Sequence, residues 1–410
     1  MTRAISAFDT DVVVVGGGVA GLTMAVALGV GGVPTVLVDR LPPEVDAAGD
    51  GRTTALLQRP VNVLRGLGVW PALAAGAAPL RRMRIVNERH GLLGGAEVVF
   101  DAHEIGEDAF GFNVANDALR RALLERVAEL PAVRQLAPAA FAGIDRAANR
   151  IEVRLADGRT LQPRLLVAAD GRESPVRTAV GIPVLRRDWG QTAIVCSFAH
   201  ELPHEDTSTE IHRPGGPFTM VPLPGRRSSL VWVERTADVE LLLAMATADF
   251  QATLQTRTAG WLGAVRLADA PRGYPLAGRL AVRLHAPRVA LIAEAAHGLH
   301  PIGAQGLNLS LRDAACLAEL VVDAFRDGQD VGAVNLLRRY DLRRRGDAFA
   351  RFAATGGLNR VASTDNGALR LLRDIGLRGL AAARPLRALL MSRGMAALGP
   401  EPRLALGHAL

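Results

Sequence analysis

The chain has 410 residues, 49% of them hydrophobic, 22% charged and 4% aromatic, with 43 Gly and 23 Pro. That apolar share excludes disorder, the glycines keep no collagen-like period, and the length sets a prior of two to three domains. The formal net charge is +7 and all 48 basic residues are arginine; residues 331–410 hold 14 of them against five acids, so the positive excess belongs to the C-terminal end.

Before the first apolar run Arg3 is outnumbered by Asp9 and Asp11, unlike the n-region of a secretory signal. Residues 12–38 carry no charge over a length that could span a bilayer, but seven glycines and Pro34 break it. The pattern predicts a buried parallel strand over 11–15, a helix over 20–30 and a second strand over 35–39, a βαβ unit. Apolar runs at 98–100, 151–155 and 160–168, punctuated by Ala156-Asp157-Gly158, predict a small meander, and 116–130 an amphipathic helix. From 182 to 280 alternating runs predict a second, mostly antiparallel sheet with one helix over 239–258. A buried strand over 288–293, a long helix over 307–325 and an Arg-rich helical end follow. Cys196 and Cys316 stand far apart without metal or redox spacing, which excludes a disulfide framework and a cysteine zinc site and fits a cytoplasmic compartment.

Gly16-x-Gly18-x-x-Gly21 closes the first strand and opens the first helix, with Asp39 at the end of the second strand. Glycines let the turn tighten and the backbone approach a pyrophosphate at the helix N-terminus, and the acid suits a ribose hydroxyl, so the unit predicts a dinucleotide site. Asp170-Gly171 ends another strand, with Ser174 and Arg177 behind it. Glu294 ends a third, followed by His297, Pro301-x-Gly303-x-Gln305-Gly306 and a helix start. Two more strand-end acids and a second helix N-terminus exceed what NAD requires and suit the longer FAD.

These three segments resemble the fingerprints of class A FAD-dependent aromatic hydroxylases. Asp50-Gly-Arg52-Thr-Thr-Ala-Leu56, Gly216-Pro-Phe-Thr-Met-Val-Pro-Leu-Pro224 and Pro301-Ile-Gly-Ala-Gln-Gly-Leu-Asn-Leu309 are most similar to the ubiquinone-biosynthesis hydroxylases within that class. The resemblance covers nearly the whole chain. It implies an α/β fold: a Rossmann-like FAD-binding domain (1–75, 112–180, 281–330), an inserted, mostly antiparallel substrate domain (76–111, 181–280) and a C-terminal helical region (331–410). It further implies that Gly16, Gly18, Gly21 and Asp39 hold the ADP half, that Arg52 reaches the cofactor, and that Asp170 and Gly171 lie near the pyrophosphate. Glu294, where the family usually has Asp, would hold the ribityl chain. Pro301 would lie beside the flavin ring, and the amides of Gly303, Gln305, Gly306, Leu307 and Asn308 would face its pyrimidine edge.

The implied reaction uses NADH or NADPH and O2 to hydroxylate a polyprenylated aromatic substrate. A soluble aromatic substrate, or a non-catalytic flavin-binding subunit of a quinone-synthesis complex, stays open from the residues alone. An aromatic ring attacks best as phenolate, which for a pKa near 10 costs about 4 kcal/mol at pH 7. The positive helix end at Gly303 and, beside Pro301, His300 are the groups named to offset it, so Pro301, Gly303 and His300 form the expected catalytic set.

His200-Glu201-Leu-Pro-His204 spells the zinc metalloprotease string, but Pro203 opposes the single helical face that string needs, at about 3 kcal/mol, so no metal is expected. Flavin halogenation depends on a lysine, which the chain lacks. The Arg-rich segment 368–390 predicts either a helix pair packed on the FAD domain or a surface for anionic lipid or a partner of quinone synthesis, peripheral on the inner membrane surface. Nucleic acid is not expected, because no aromatic interleaving accompanies the arginines.

Overall fold

Four consecutive β-branched residues, Val12–Val15, are buried on both faces and form the middle of a six-stranded sheet. A computed structural model describes residues 10–43, 51–87, 96–146, 150–258, 260–364 and 366–410. Arg3, Asp9, Asp50 and Asp365 lie outside the described residues. The strand order is His285–Ala286, Val289–Leu291, Leu165–Ala168, Val12–Val15, Thr35–Val38 and Val133–Leu136. All pairs are parallel except the edge pair of His285–Ala286 with Val289–Leu291. Register aligns Val15 with Ala168 and Val38, and Ala168 with Leu291, so the residues following these strands gather along one end of the sheet. Helices Val19–Val30 and Gln305–Arg326 pack on each other beside it.

The second sheet runs His297–Gly298, Arg272–Ala281, Val184–His200, Arg227–Arg235, Phe218–Leu223, Thr207–His212, Arg82–Asn87 and Glu97–Asp101, with Val265–Leu267 added to Val184–His200. One face buries Phe198, Phe218, Leu230 and Trp232 against the helical segment of 236–257. From the other side Ser229 Oγ accepts from Thr53 Oγ1 at 3.0 Å and the Pro222 carbonyl from Asn113 Nδ2 at 2.8 Å. Both donors belong to a small sheet of Thr53–Leu57, Gly111–Ala115 and Ala78–Leu80 that joins the two halves.

Three local expectations change. The single helix over 239–258 is two, Thr236–Leu243 and Thr247–Arg257, because each half has its own first-turn acid, Asp238 and Asp249, which favours a fresh N-terminus. The meander consists of Phe141–Arg146, Ile151–Leu155 and Thr160–Leu161. Leu165–Ala168 leaves it for the parallel sheet, where a run with no polar face can be covered on both sides, and Glu97–Asp101 joins the second sheet. The helix pair of the C-terminal region, Gly367–Ala382 and Arg384–Met395, meets the parallel-sheet half where Arg312 Nη2 donates to the Met395 carbonyl at 3.2 Å, but buries its apolar side chains elsewhere. Leu377 and Met391 bury against Val98, Phe100 and Phe110 of the second sheet's edge and the loop beyond it. Tyr340, Leu404 and Ala405, from the same last 80 residues, instead join the core around the parallel sheet. Cys196 and Cys316 are both buried and free, and among the described residues no helix is long and apolar enough to cross a membrane.

Candidate active site

The first βα turn shows why three glycines stand there. Gly16 has φ +113°, and a Cβ on it would overlap the Ala169 carbonyl, while a Cβ on Gly21 would overlap the carbonyl oxygen of Gly16. The strand, the turn and the helix are thus in backbone contact, which only glycine permits. Gly18 differs: among the described residues nothing lies within 4 Å of where its Cβ would be. The side of the turn at Gly18 is thus open, and without a Cβ a ligand can approach its backbone. Gly18 caps the helix without a side-chain hydrogen bond, no acid occupies the first turn, and the first helical bond runs from Leu22 N–H to Gly18. The amides before Leu22 and the positive helix end are left for an anion. Asp39 follows Val38, its carboxylate against the α-carbon of Gly17 and 4.0 Å from Arg120 Nη2.

Asp170 and Gly171 follow the neighbouring strand, with Gly171 at φ +89°. Asp170 Oδ2 accepts from the Val176 amide at 3.0 Å, whereas Oδ1 is buried without a partner among the described residues. Burial pushes this carboxyl up, against hydrogen bonds from Ser174 and Val176. Arg177 Nη1 donates to Ala295 at 2.9 Å and Nη2 to the Arg172 carbonyl at 3.0 Å, stitching this turn to the next one. There Glu294 is exposed and pairs with Arg172 at 3.5 Å.

The third turn is built differently. After Pro301, Gly303 (φ +70°) and Ala304 (φ +52°) are consecutive left-handed residues, and the helix begins at Gln305. The Ala304 N–H donates to Pro301 at 2.9 Å, leaving Gln305, Gly306 and Leu307 to present amides outward. Asn308 has another task. Fully buried, it accepts from the Leu57 N–H at 2.8 Å and donates to Ala55 at 2.7 Å and Ala304 at 2.6 Å. Those bonds fix strand Thr53–Leu57, and so place Arg52, immediately before it, over the Tyr274 ring at 5.1 Å from its centroid. Gln305 is clamped as well, donating to Gly303 at 2.9 Å and accepting from Arg351. Beneath lies a cluster of ionisable groups: His297 Nε2 to Asp313 at 2.5 Å, Arg344 to Asp313 at 2.8 Å, and Arg351 to Asp347 at 2.9 Å.

His300 is fully buried with the Trp189 ring edge-on at 5.1 Å. The Ile302 N–H donates to its Nδ1 at 3.2 Å, so the proton of the neutral ring sits on Nε2, which has no partner among the described residues. Burial pushes the imidazole down to about 4, with the Glu210 carboxylate opposing. At neutral pH this residue is a hydrogen-bond donor and carries no positive charge. Glu210 holds His212 Nε2 at 2.8 Å.

The zinc string does not form a helix. His200 ends strand Val184–His200, and its ring nitrogens meet the Leu202 carbonyl and Ser228; those of His204 meet the Leu223 carbonyl and the Asp206 amide. Trp189, Glu210 and His212 were missed as site residues. Alternation along Thr207–His212 does place Glu210 and His212 on one face, but nothing local says which face meets the site.

A family model described as FAD binding domain matches residues 9–355. The ubiquinone hydroxylase UbiL of Rhodospirillum rubrum is 40% identical over 96% of this chain and 91% of its own length. The 3-demethoxyubiquinol 3-hydroxylase of Escherichia coli is 31% identical over 90% and 94%. Among solved structures, p-nitrophenol 4-monooxygenase of Pseudomonas putida superposes with a TM-score of 0.79 at 20% identity, covering 95% of this chain and 99% of that one. Fold and site therefore define a class A flavoprotein monooxygenase. Within that class the chain belongs to the FAD-binding-domain family of aromatic-ring hydroxylases, on the branch of the ubiquinone hydroxylases. It binds FAD, and the residues present fit that group: open space at Gly18, two helix starts with unspent amides, and a buried unpartnered Asp170 oxygen.

Proposed function

We propose that this enzyme uses NADH or NADPH and O2 to hydroxylate the ring of a polyprenyl-phenol intermediate of ubiquinone biosynthesis. The two relatives named above support the pathway. The observation that carries the ring chemistry is the helix start at Gln305, which has neither a side-chain cap nor a first-turn acid and follows the left-handed pair Gly303 and Ala304 after Pro301.

In this reading Gly16, Gly18, Gly21 and Asp39 hold the ADP half, Asp170 and Gly171 the pyrophosphate region, Glu294 the ribityl chain, and Arg52 the cofactor from the substrate side. The amides of Gly303, Gln305, Gly306 and Leu307 serve the pyrimidine edge, and Asn308 secures them from behind. Bound flavin supplies the redox and oxygen-transfer chemistry. The chain's own task is to make the ring electron-rich and keep it oriented. Presenting a phenolate costs about 4 kcal/mol at pH 7. A hydrogen bond to a charged oxygen returns roughly 1.5–3 kcal/mol, and a partly buried helix end up to about 2. His300 Nε2–H and the helix start at Gln305 together match that cost. Burial keeps His300 neutral, so it acts here as a neutral N–H donor and brings no positive charge.

The test is NAD(P)H oxidation with 18O2 and a short-chain polyprenyl phenol. The expected result is accelerated oxidation with one labelled oxygen on the ring, and His300→Asn lowering the rate tenfold or more while FAD stays bound. Label from water, or no acceleration by the phenol in the FAD-loaded enzyme, overturns the reading.

A further inference from the structure

Helix Gly367–Ala382 buries an arginine beside Leu377 and leaves a second apolar face exposed. A surface helix ordinarily buries leucines and exposes charges. Here Arg373 is buried and donates to the carbonyls of Val361 at 2.8 Å and Ala362 at 2.5 Å and to Asn87, while Asp374 also holds Asn87. Leu371, Leu372 and Ile375 are 55%, 63% and 57% exposed. The next helix, Arg384–Met395, repeats the pattern, with Arg387 turned inward to Glu104 at 2.7 Å and Leu386, Leu389 and Leu390 outward. Seven of the 21 large apolar side chains exposed among the described residues fall between 369 and 390. Leu371, Leu372 and Ile375 share one side of their helix by spacing, and exposed apolar faces of this kind mark a surface that is covered in use.

Charge says what covers it. Residues 366–395 contain six arginines, one aspartate and no glutamate. Arg384 and Arg393 are exposed beside the apolar face. A second copy would bring the same positive rim against itself. The helices have 16 and 12 residues, about 24 and 18 Å, too short for the roughly 30 Å of a hydrocarbon core. We infer that this helix hairpin is a membrane-docking surface, lying flat on an anionic lipid bilayer with its leucines in the acyl boundary and its arginines among the headgroups. The hairpin also reaches the flavin turn: Arg351 Nη2 donates to the Ala396 carbonyl at 2.7 Å while the same guanidinium clamps Gln305.

The test uses the FAD-loaded full chain and co-flotation with phosphatidylcholine vesicles, with and without 30% phosphatidylglycerol. It requires no substrate, so it stands apart from the test of the reaction. The expected result is binding at least tenfold stronger to the anionic vesicles and weakened by high salt. Leu372→Glu with Ile375→Glu, and separately Arg384→Glu with Arg393→Glu, should each reduce it tenfold or more, with flavin content and melting temperature unchanged. Equal or absent binding to the two vesicle types overturns the inference, as does wild-type binding by both double variants. Sedimentation as a dimer that the leucine and isoleucine changes dissociate would assign the face to a second copy instead.

Discussion

Helices Val19–Val30 and Gln305–Arg326 both start at the same end of the parallel sheet, both without a side-chain cap or a first-turn acid, yet they are held in opposite ways. The first is fixed by backbone crowding: Gly16 and Gly21 touch, and no side chain is needed. The second is fixed by side chains arriving from 251 and 46 residues away, Asn308 to Leu57 and Arg351 to Gln305. A turn set by local sterics is rigid and general, which suits a pyrophosphate. A turn set by distant partners can be tuned by the rest of the fold, as its proposed place beside the flavin ring would require.

The sharpest break of that contrast comes from comparing two glycines. Gly21→Val should remove more than about 4 kcal/mol, because the new Cβ meets backbone that cannot retreat, and should give no cooperative melting transition. Gly18→Val should melt within about 1 kcal/mol of wild type as apoprotein but lack the yellow flavin absorbance, since only the approaching cofactor meets the new side chain. A flavin-loaded Gly18→Val protein would remove the reason given for that glycine. At the second helix, Asn308→Ala should cost about 3 kcal/mol by leaving the buried Leu57 N–H and Ala55 carbonyl unpaired, read as a drop in denaturant midpoint.

The most gradual effect is a pH slope. His300 is depressed to about 4 against an ordinary value near 6.5, so the unfolded chain takes up a proton across that window and the folded one does not. The stability this provides is complete above pH 6.5 and lost as pH falls to 4, about 3 kcal/mol in all. In His300→Asn that part of the slope should vanish. An unchanged slope between pH 6.5 and 4 would mean His300 is not held neutral.

What was legible in the sequence divides along the same line. Val12–Val15, the glycine turn and Asp39 could be placed from one window of residues, because adjacent atoms determine them. Leu165–Ala168 was assigned to a meander because its neighbour in the sheet, Val12–Val15, is some 150 residues away and no local signal names it. The expected role of Asn308 rests on its backbone amide; that its side chain also ties Leu57 and Ala55 is set by a strand some 250 residues upstream, which no local signal names. Trp189 and Arg351 depend on partners distant in sequence, His300 and Gln305, so their neighbours in the chain say nothing about the site. The inward arginines of 366–395 were counted correctly as charge, but which of them face solvent is decided by Asn87 and Glu104, far upstream.

The two buried cysteines give each half of the molecule its own clock. Cys316 lies in the core around the parallel sheet and Cys196 in the core of the second sheet, and burial pushes their thiols to about 11 and about 12. At pH 7 roughly one thiol in ten thousand or fewer is ionised, and a closed core shields even that fraction from a maleimide or a disulfide reagent. Labelling must wait until the core around each sulfur opens. With Cys196 replaced by Ala, the labelling rate at Cys316 times the opening of the parallel-sheet half; with Cys316 replaced, Cys196 times the half built on the second sheet. Whether those two rates coincide tells whether the halves breathe together or apart.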